Sequence, residues 1–422
     1  MRPLRLTAKW VLPIQGAPIA DGAVLVENDG RIAAIGHDAQ VPTPGDARIT
    51  RFPDGVLLPG LINTHTHLEL TGFPAPERML EFPEWIRRLR ALKAERSPEA
   101  FLSAARDGVR TGWSQGVTSV ADCGDTGAVA QVLAELGGRG IAYHEVFGPH
   151  PAQREESLAG LQRRVTELQA FVSERVRIGV SPHAPYTVSG PLFRAVSEWA
   201  RAQSLPVCLH LAESQEESDL LETQSGGFAE LWRGRQIPLP EVSCTPVQWV
   251  DRHGVLGPTT LCVHVVRAGA SDLQLLKQRG SAVAHCPLSN RAHRHGVAPL
   301  GEMRRLGIAV GVGTDSVVSV GRLDLRAEAR AAKELAELTW TETLSLVTSE
   351  AARALGLDRE VGTLEVEKWG DVSVWQAGNG ELGNGEPETG TTMEDLALRA
   401  LGPDTHCVAT YIAGQQVWAL PA

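Results

Sequence analysis

What this 422-residue sequence lacks narrows it first. It has six cysteines, at 123, 208, 244, 262, 286 and 407, and no CxxC pair. That argues against a disulfide framework and a cysteine-rich zinc site, and it favours a reducing, cytoplasmic setting. There is no run of Lys and Arg, and 40 basic against 50 acidic residues leave a net charge of −10. This balance argues against nucleic acid or an anionic membrane as main partner. No apolar stretch reaches the roughly 18 residues that a membrane span requires. Met1–Pro13 holds no apolar run of signal-peptide length. Aromatic residues are only 5%, while hydrophobic residues at 43% and charged residues at 21% are ordinary for a globular chain. The expectation is a soluble protein with a small-molecule partner, a homodimer by default.

The order of apolar runs predicts the architecture. Near the start, Ala23–Glu27 and Arg31–Gly36 flank Asn28-Asp29-Gly30, a hairpin signal. Strand texture returns at Asp371–Trp375 and Cys407–Ile412, with a Gly- and Glu-rich loop over Gly378–Thr392 between them. Both termini together predict one small β-sandwich domain, residues 1–55 plus 360–422. Residues 56–359 contain eight short apolar runs: Val56–Asn63, Val117–Ala121, Ile141–Val146, Val176–Ser181, Leu205–Leu211, Thr260–Val266, Ala282–Cys286 and Ile308–Thr314. Helical stretches, among them Glu84–Ala94, Glu155–Ser173 and Leu323–Ala336, separate most of them. The alternation predicts an α/β fold, a TIM-like (β/α)8 barrel. A doubly wound sheet is the alternative, but no Gly-rich dinucleotide turn follows the first run. Gly112-Trp113-Ser114-Gln115-Gly116 matches a GxSxG nucleophile pattern, yet a helix precedes it and a strand follows, the reverse of what that elbow needs.

A barrel places chemistry at the C-terminal ends of its strands. Those ends carry His65 and His67, Asp122, Glu145, His183, His210, His264, His285 and Asp315. His65 and His67 are two apart, so an extended backbone points both imidazoles to one face. With His210 and Asp315 they form a three-His, one-Asp set that suits one catalytic divalent metal ion, Zn²⁺ first and Fe²⁺ second. Glu213, three residues past His210, is the expected general acid/base, and His264 the expected proton-transfer partner. His183 is a candidate substrate contact. His285 and Cys286 are expected to pack. His293-Arg294-His295 lies in a polar stretch and is expected to be loop.

At this point the motifs carry a resemblance. Pro59–His67, His210-Leu211-Ala212-Glu213, His264, His285-Cys286-Pro287-Leu288-Ser289-Asn290 and Gly313-Thr314-Asp315-Ser316 resemble the amidohydrolase superfamily over nearly the whole chain. The likeness is to the mononuclear branch of nucleoside and guanine deaminases and triazine hydrolases. It implies one metal on His65, His67, His210 and Asp315, with Glu213, His264 and Asp315 serving catalysis. Strand four offers neither the bridging Lys nor the Glu of the binuclear branch. The segment His67–Gly72 followed by Phe82–Ile86 is similar to the aminodeoxyfutalosine deaminases, which implies hydrolytic removal of an adenine amino group on a route to menaquinone. Deaminases of S-adenosylhomocysteine, methylthioadenosine or guanine, hydrolases of cyclic amides or triazines, and a non-catalytic assembly subunit are the alternatives. A substrate carboxylate needs a cation, for which Arg87, Arg88, Arg291 and Arg294 are candidates. Phe73, Phe82 and Trp85 are expected as an aromatic wall, and Glu69 as a partner for a ribose hydroxyl.

Overall fold

The computed structural model describes residues 2–75, 80–241, 243–377 and 390–421. Most of the loop expected over Gly378–Thr392 lies outside the described residues. Eight parallel strands follow one another around a nearly closed barrel: β1 (Leu61–Thr66), β2 (Val117–Gly124), β3 (Arg139–Val146), β4 (Val176–Pro182), β5 (Val207–Leu211), β6 (Thr260–His264), β7 (Ala282–His285) and β8 (Val310–Val312). Helices such as Ala128–Leu136 after β2 and Gly190–Ala202 after β4 supply the crossovers. Strands covered by helices outside and by side chains inside are buried on both faces, and all residues of β1, β2 and β3 are. The expected GxSxG decoy is confirmed as a turn: helix Pro98–Ser114 ends there, Gly116 takes φ 74°, and β2 begins.

The ring closes between β8 and β1. Thr66 and Asp315 form a parallel bridge, and the Asp315 N–H donates to the His65 carbonyl at 3.0 Å. Gly313 permits this approach, since a Cβ there would lie 2.7 Å from both the backbone N and O of His65. Those atoms belong to a barrel strand and cannot swing aside. Gly313→Ala is therefore expected to destabilise the protein by about 3 kcal/mol or more, the upper end of overpacking costs. An unchanged urea midpoint in this variant would show that the seam can spread.

The apolar run Val56–Asn63 is not one strand, contrary to the sequence reading. Arg48–Pro59 belongs to a different sheet, and the barrel strand starts at Leu61. Gly60 is the break, because a Cβ there would meet the Thr118 side chain at 2.0 Å. The second sheet has seven strands from both termini, in the order Gln415–Ala419, Thr405–Ile412, Val372–Ala377, Arg48–Pro59, Leu4–Val11, Ile19–Val26, Ile32–His37. All neighbours run antiparallel except Leu4–Val11 with Arg48–Pro59. Leu4, Leu6, Val24, Val26, Leu57, Val374 and Tyr411 alternate onto its buried face. The expected hairpin is present, with Gly30 at φ 87° in its turn.

By contact density the chain divides into two compact units. One is Met1–Asn63 with Val109–Val120 and Asp324–Ala422, and the other is Thr64–Gly108 with Ala121–Leu323. Every residue of the site described next lies in the second. Among the described residues, no helix is long and apolar enough to cross a membrane.

Candidate active site

The C-terminal strand ends converge on one cavity, lined among others by His67, His183, His210, Glu213, His264 and Asp315. Four residues around it do not sit on relaxed backbone. Ala212 after β5, His264 and Val265 at the end of β6, and Asp315 after β8 all have positive φ, between 50° and 73°. Such conformations are costly for residues with a Cβ, and for β-branched Val265 above all, and they persist where the surrounding structure enforces them.

His65 and His67 leave β1 on the same face, as their spacing predicts, with ring centroids 4.8 Å apart. The Nε2 atoms of both lie 3.5 Å from Asp315 Oδ1. The ligand atoms of His65, His67 and His210 all lie within 4.8 Å of one another. The far nitrogens of two of these rings are already engaged. His67 Nδ1 donates to the Cys123 carbonyl at 2.8 Å and His210 Nδ1 to the His183 carbonyl at 3.2 Å. Each bond fixes the tautomer that leaves Nε2 as the inward lone pair. Asp315 is anchored by the Ser289 hydroxyl, which donates to Oδ2 at 2.5 Å and leaves Oδ1 for the site. Three imidazole nitrogens and one carboxylate oxygen, held this way around one point, are the donor set of a catalytic Zn²⁺-type site. The residues fit such an ion. Burial opposes charge on Asp315, but His65 and His67 outweigh it and hold the carboxyl well below its ordinary pKa.

Glu213 stands next to this set. Its Oε1 lies 3.5 Å from His264 Nε2 and 3.3 Å from His295 Nε2, and its Oε2 accepts from the Tyr186 hydroxyl at 3.1 Å. Burial alone would raise its pKa, yet His264 and His295 hold it below the usual carboxylate range, so it is ionised at neutral pH. The turn that carries it is fastened by Glu217, whose carboxylate accepts the backbone N–H of Ala212 at 2.9 Å and of Glu213 at 2.8 Å. His264 is set in turn by Asn290, with Nδ1 and Oδ1 3.0 Å apart. The motif His285–Asn290 thus serves the site through its last two residues, which a Pro287-started helix, Pro287–Ala292, turns inward.

The structure sorts the remaining sequence expectations. His183 lines the cavity, its Nδ1 2.8 Å from Thr187 Oγ1, and burial lowers its pKa to about 4. Trp85 and Phe82 line the cavity as the expected wall, with the ring of His293 4.5 Å from Trp85 and that of His295 4.6 Å from Phe82. Phe73 does not line the cavity and packs instead on Phe101 at 5.2 Å. Glu69 is also outside it. Its buried carboxylate bonds Lys93 Nζ at 3.0 Å and the Thr126 hydroxyl, so it braces the barrel rim rather than facing a ribose. Asp122 is structural too, accepting the Leu68 N–H at 2.7 Å. His285 is fully buried and away from the cavity, in line with packing. Arg291 and Arg294 are exposed and do not line the cavity, and neither do Arg87 and Arg88.

Several residues at the site escaped the sequence reading. His293 and His295 do not form a solvated loop. Helix Pro287–Ala292 and the positive φ of Arg294 (60°) deliver them to the site, and His295 is only 3% exposed. Their one-face spacing was a signal, but the polar surroundings masked it. Arg90 and Lys93 line the cavity from helix α1 (Phe82–Ala94). The stripe Phe82, Trp85, Ile86, Leu89, Arg90, Lys93 follows the 3–4 residue helical period, and Arg87 and Arg88 fall on the other face.

Glu145 at the end of β3 also reaches the cavity, and burial pushes its pKa up from 4.5 to about 8. A carboxyl with a raised folded-state pKa contributes stability that is full below its unfolded pKa and lost as pH rises through the folded one. Wild type is thus expected to lose stability relative to Glu145→Gln as pH climbs from about 4.5 to about 8. Urea midpoints of the two proteins that keep a constant offset across this window would contradict the shift.

Known proteins resemble this chain over most of its length. A 5-methylthioadenosine/S-adenosylhomocysteine deaminase of Moorella thermoacetica is 30% identical over 373 residues, 86% of this chain and 83% of the relative. Two solved structures share the fold. An adenosine deaminase from Xanthomonas campestris with bound zinc has a TM-score of 0.82 at 24% identity, covering 98% of this chain and 92% of that one. Aminofutalosine deaminase of Helicobacter pylori has a TM-score of 0.83 at 22% identity, covering 99% and 100%. Residues 56–417 match the amidohydrolase family, and the chain belongs to that family as an enzyme that hydrolyses carbon–nitrogen bonds.

Proposed function

We propose that the protein is a metal-dependent hydrolytic deaminase of an adenine nucleoside, with 6-aminodeoxyfutalosine of menaquinone synthesis as its substrate and Zn²⁺ as its ion. One observation carries the reading: an ionised, buried Glu213 opens onto the same cavity as His67, His210 and Asp315, whose donor atoms converge with those of His65 behind them. The three similar proteins are all deaminases, and the segment His67–Gly72 with Phe82–Ile86 favours the aminodeoxyfutalosine substrate among them.

His65, His67, His210 and Asp315 would hold the ion, and the chemistry it supplies is acidification of water, so that hydroxide is available near neutral pH. Glu213 is the base that takes the proton of the attacking water. Its low pKa makes it a ready donor once protonated, and it passes the proton to the ring nitrogen as the C6–O bond forms. His264 and His295 face Glu213 Oε1 and steady the charge that moves there, while Tyr186 holds Oε2 in place. Glu213 then takes the remaining proton of the new C6 hydroxyl and hands it to the amino group, so that the C6–N bond breaks as C6=O forms, leaving ammonia and a 6-oxo product. Phe82 and Trp85 screen the cavity from water on one side.

A second reading, deamination of S-adenosylhomocysteine or methylthioadenosine by the same machinery, is favoured by the 30% identity to the Moorella deaminase. An ammonia-release assay of the zinc-loaded protein on aminodeoxyfutalosine, adenosine, S-adenosylhomocysteine, methylthioadenosine and guanine separates them. Preference for aminodeoxyfutalosine is the expected result. No ammonia from any of the five would overturn the nucleoside deaminase reading.

A further inference from the structure

Two cations line the cavity, and only one of them is neutralised. Lys93 Nζ lies 3.0 Å from Glu69 and 2.8 Å from Asp125, so its charge is matched twice. Arg90 has neither an ion pair nor a hydrogen bond among the described residues. Its guanidinium instead lies over the ring of Phe147, with Cζ 5.5 Å from the centroid. Phe147 also lines the cavity, and its ring centroid is 5.0 Å from that of His183, which is 4.6 Å from that of His210. These ring contacts link Arg90, through Phe147 and His183, to His210 of the proposed metal set. Arg90 is exposed whereas His210 and Asp315 are buried, which puts the guanidinium at the solvent side of the cavity, on the side open to the far end of a bound nucleoside.

We infer that Arg90 receives a carboxylate on the 5′ arm of the substrate, so that the site selects an adenine nucleoside with an anionic arm over one with a neutral arm. A guanidinium matches a carboxylate with two parallel N–H donors, which a point charge such as Lys93 does not. Phe147 beneath it holds the fork flat and offers a π face to an aryl group beside the carboxylate. The inference rests on the nucleoside deaminase reading and extends it to the substrate's other end. It also replaces Arg87, Arg88, Arg291 and Arg294, which do not line this cavity.

The test compares wild type, Arg90→Met and Arg90→Lys on three nucleosides: aminodeoxyfutalosine (aryl carboxylate), S-adenosylhomocysteine (amino-acid carboxylate) and methylthioadenosine (no carboxylate). Arg90 is exposed on a helix, and Met keeps an aliphatic cover on Phe147. Arg90→Met is expected to raise KM for the preferred carboxylate substrate on the order of 10- to 100-fold, the loss of one charge-assisted pair, with little change in kcat. Methylthioadenosine should be unaffected, and Arg90→Lys should recover part of the loss. Whichever carboxylate responds identifies the arm. Equal effects on charged and neutral substrates, or none on either, would overturn the inference. Calorimetric binding of the same nucleosides separates it from the parent reading. Binding that depends on Arg90 without any turnover would sink the deaminase and keep the carboxylate site, whereas turnover with binding indifferent to Arg90 would do the opposite.

Discussion

Glu213→Gln is expected to leave the metal content of the protein unchanged and to lower kcat on the order of 10²- to 10⁴-fold, the range ascribed to one positioned acid/base. The amide keeps the shape of the carboxyl and can still accept from Tyr186, so the turn fastened by Glu217 should survive. It cannot take a proton from water at neutral pH. The substitution also removes the charge that faces His264 and His295. The acid limb of the pH profile gives a second readout. Because His264 and His295 hold Glu213 below the ordinary carboxylate range, wild-type activity should not fall through a Glu213 titration until pH drops below that range. A variant that keeps more than a tenth of wild-type kcat, with full metal occupancy, would remove Glu213 from the proton path.

The parts of this site that were legible in the sequence share a physical cause. A barrel strand is short, buried and apolar, so a titratable residue at its end stands out against Leu, Val and Ile. His65, His67, His210 and His264 were legible for that reason, and the ring centroid of His65 lies within 5.9 Å of those of the other three. Residues delivered by helices and turns were not. Arg90 looks like any surface arginine until the period of helix α1 is anchored by Trp85 and Leu89, which set the inward face. His295 depends on a positive φ at Arg294, which no local preference of Arg announces. Glu69 shows the opposite failure. Next to the metal motif it reads as a ligand contact, but Lys93, 24 residues on, and Thr126, 57 residues on, close over its carboxylate. In the fold, the strand count and order followed from apolar periodicity. The break at Gly60 did not, because its cause is the side chain of Thr118, distant in sequence.

Removal of one proposed metal donor has the largest expected effect of all. Asp315→Asn should reduce bound divalent metal, measured by elemental analysis after dialysis, from near one ion per chain to a small fraction, and deamination should fall with it. Asn offers a neutral oxygen in place of an anionic one. It also loses the electrostatic match to His65 and His67, whose Nε2 atoms both lie 3.5 Å from Oδ1. The Ser289 hydroxyl, 2.5 Å from Oδ2, can turn to either amide atom, so the fold at the β8–β1 seam should hold, with the backbone bond from Asp315 to His65 intact. Ser289→Ala provides the graded comparison. It leaves all four donors in place and removes only the group that aims one of them, which should weaken metal affinity about 10- to 100-fold and be overcome by added zinc. Asp315→Asn should resist such rescue, because a donor is missing rather than misdirected. If Asp315→Asn retains a full complement of metal and loses only turnover, Asp315 is a proton carrier and not a ligand, and the ion rests on the three imidazoles alone.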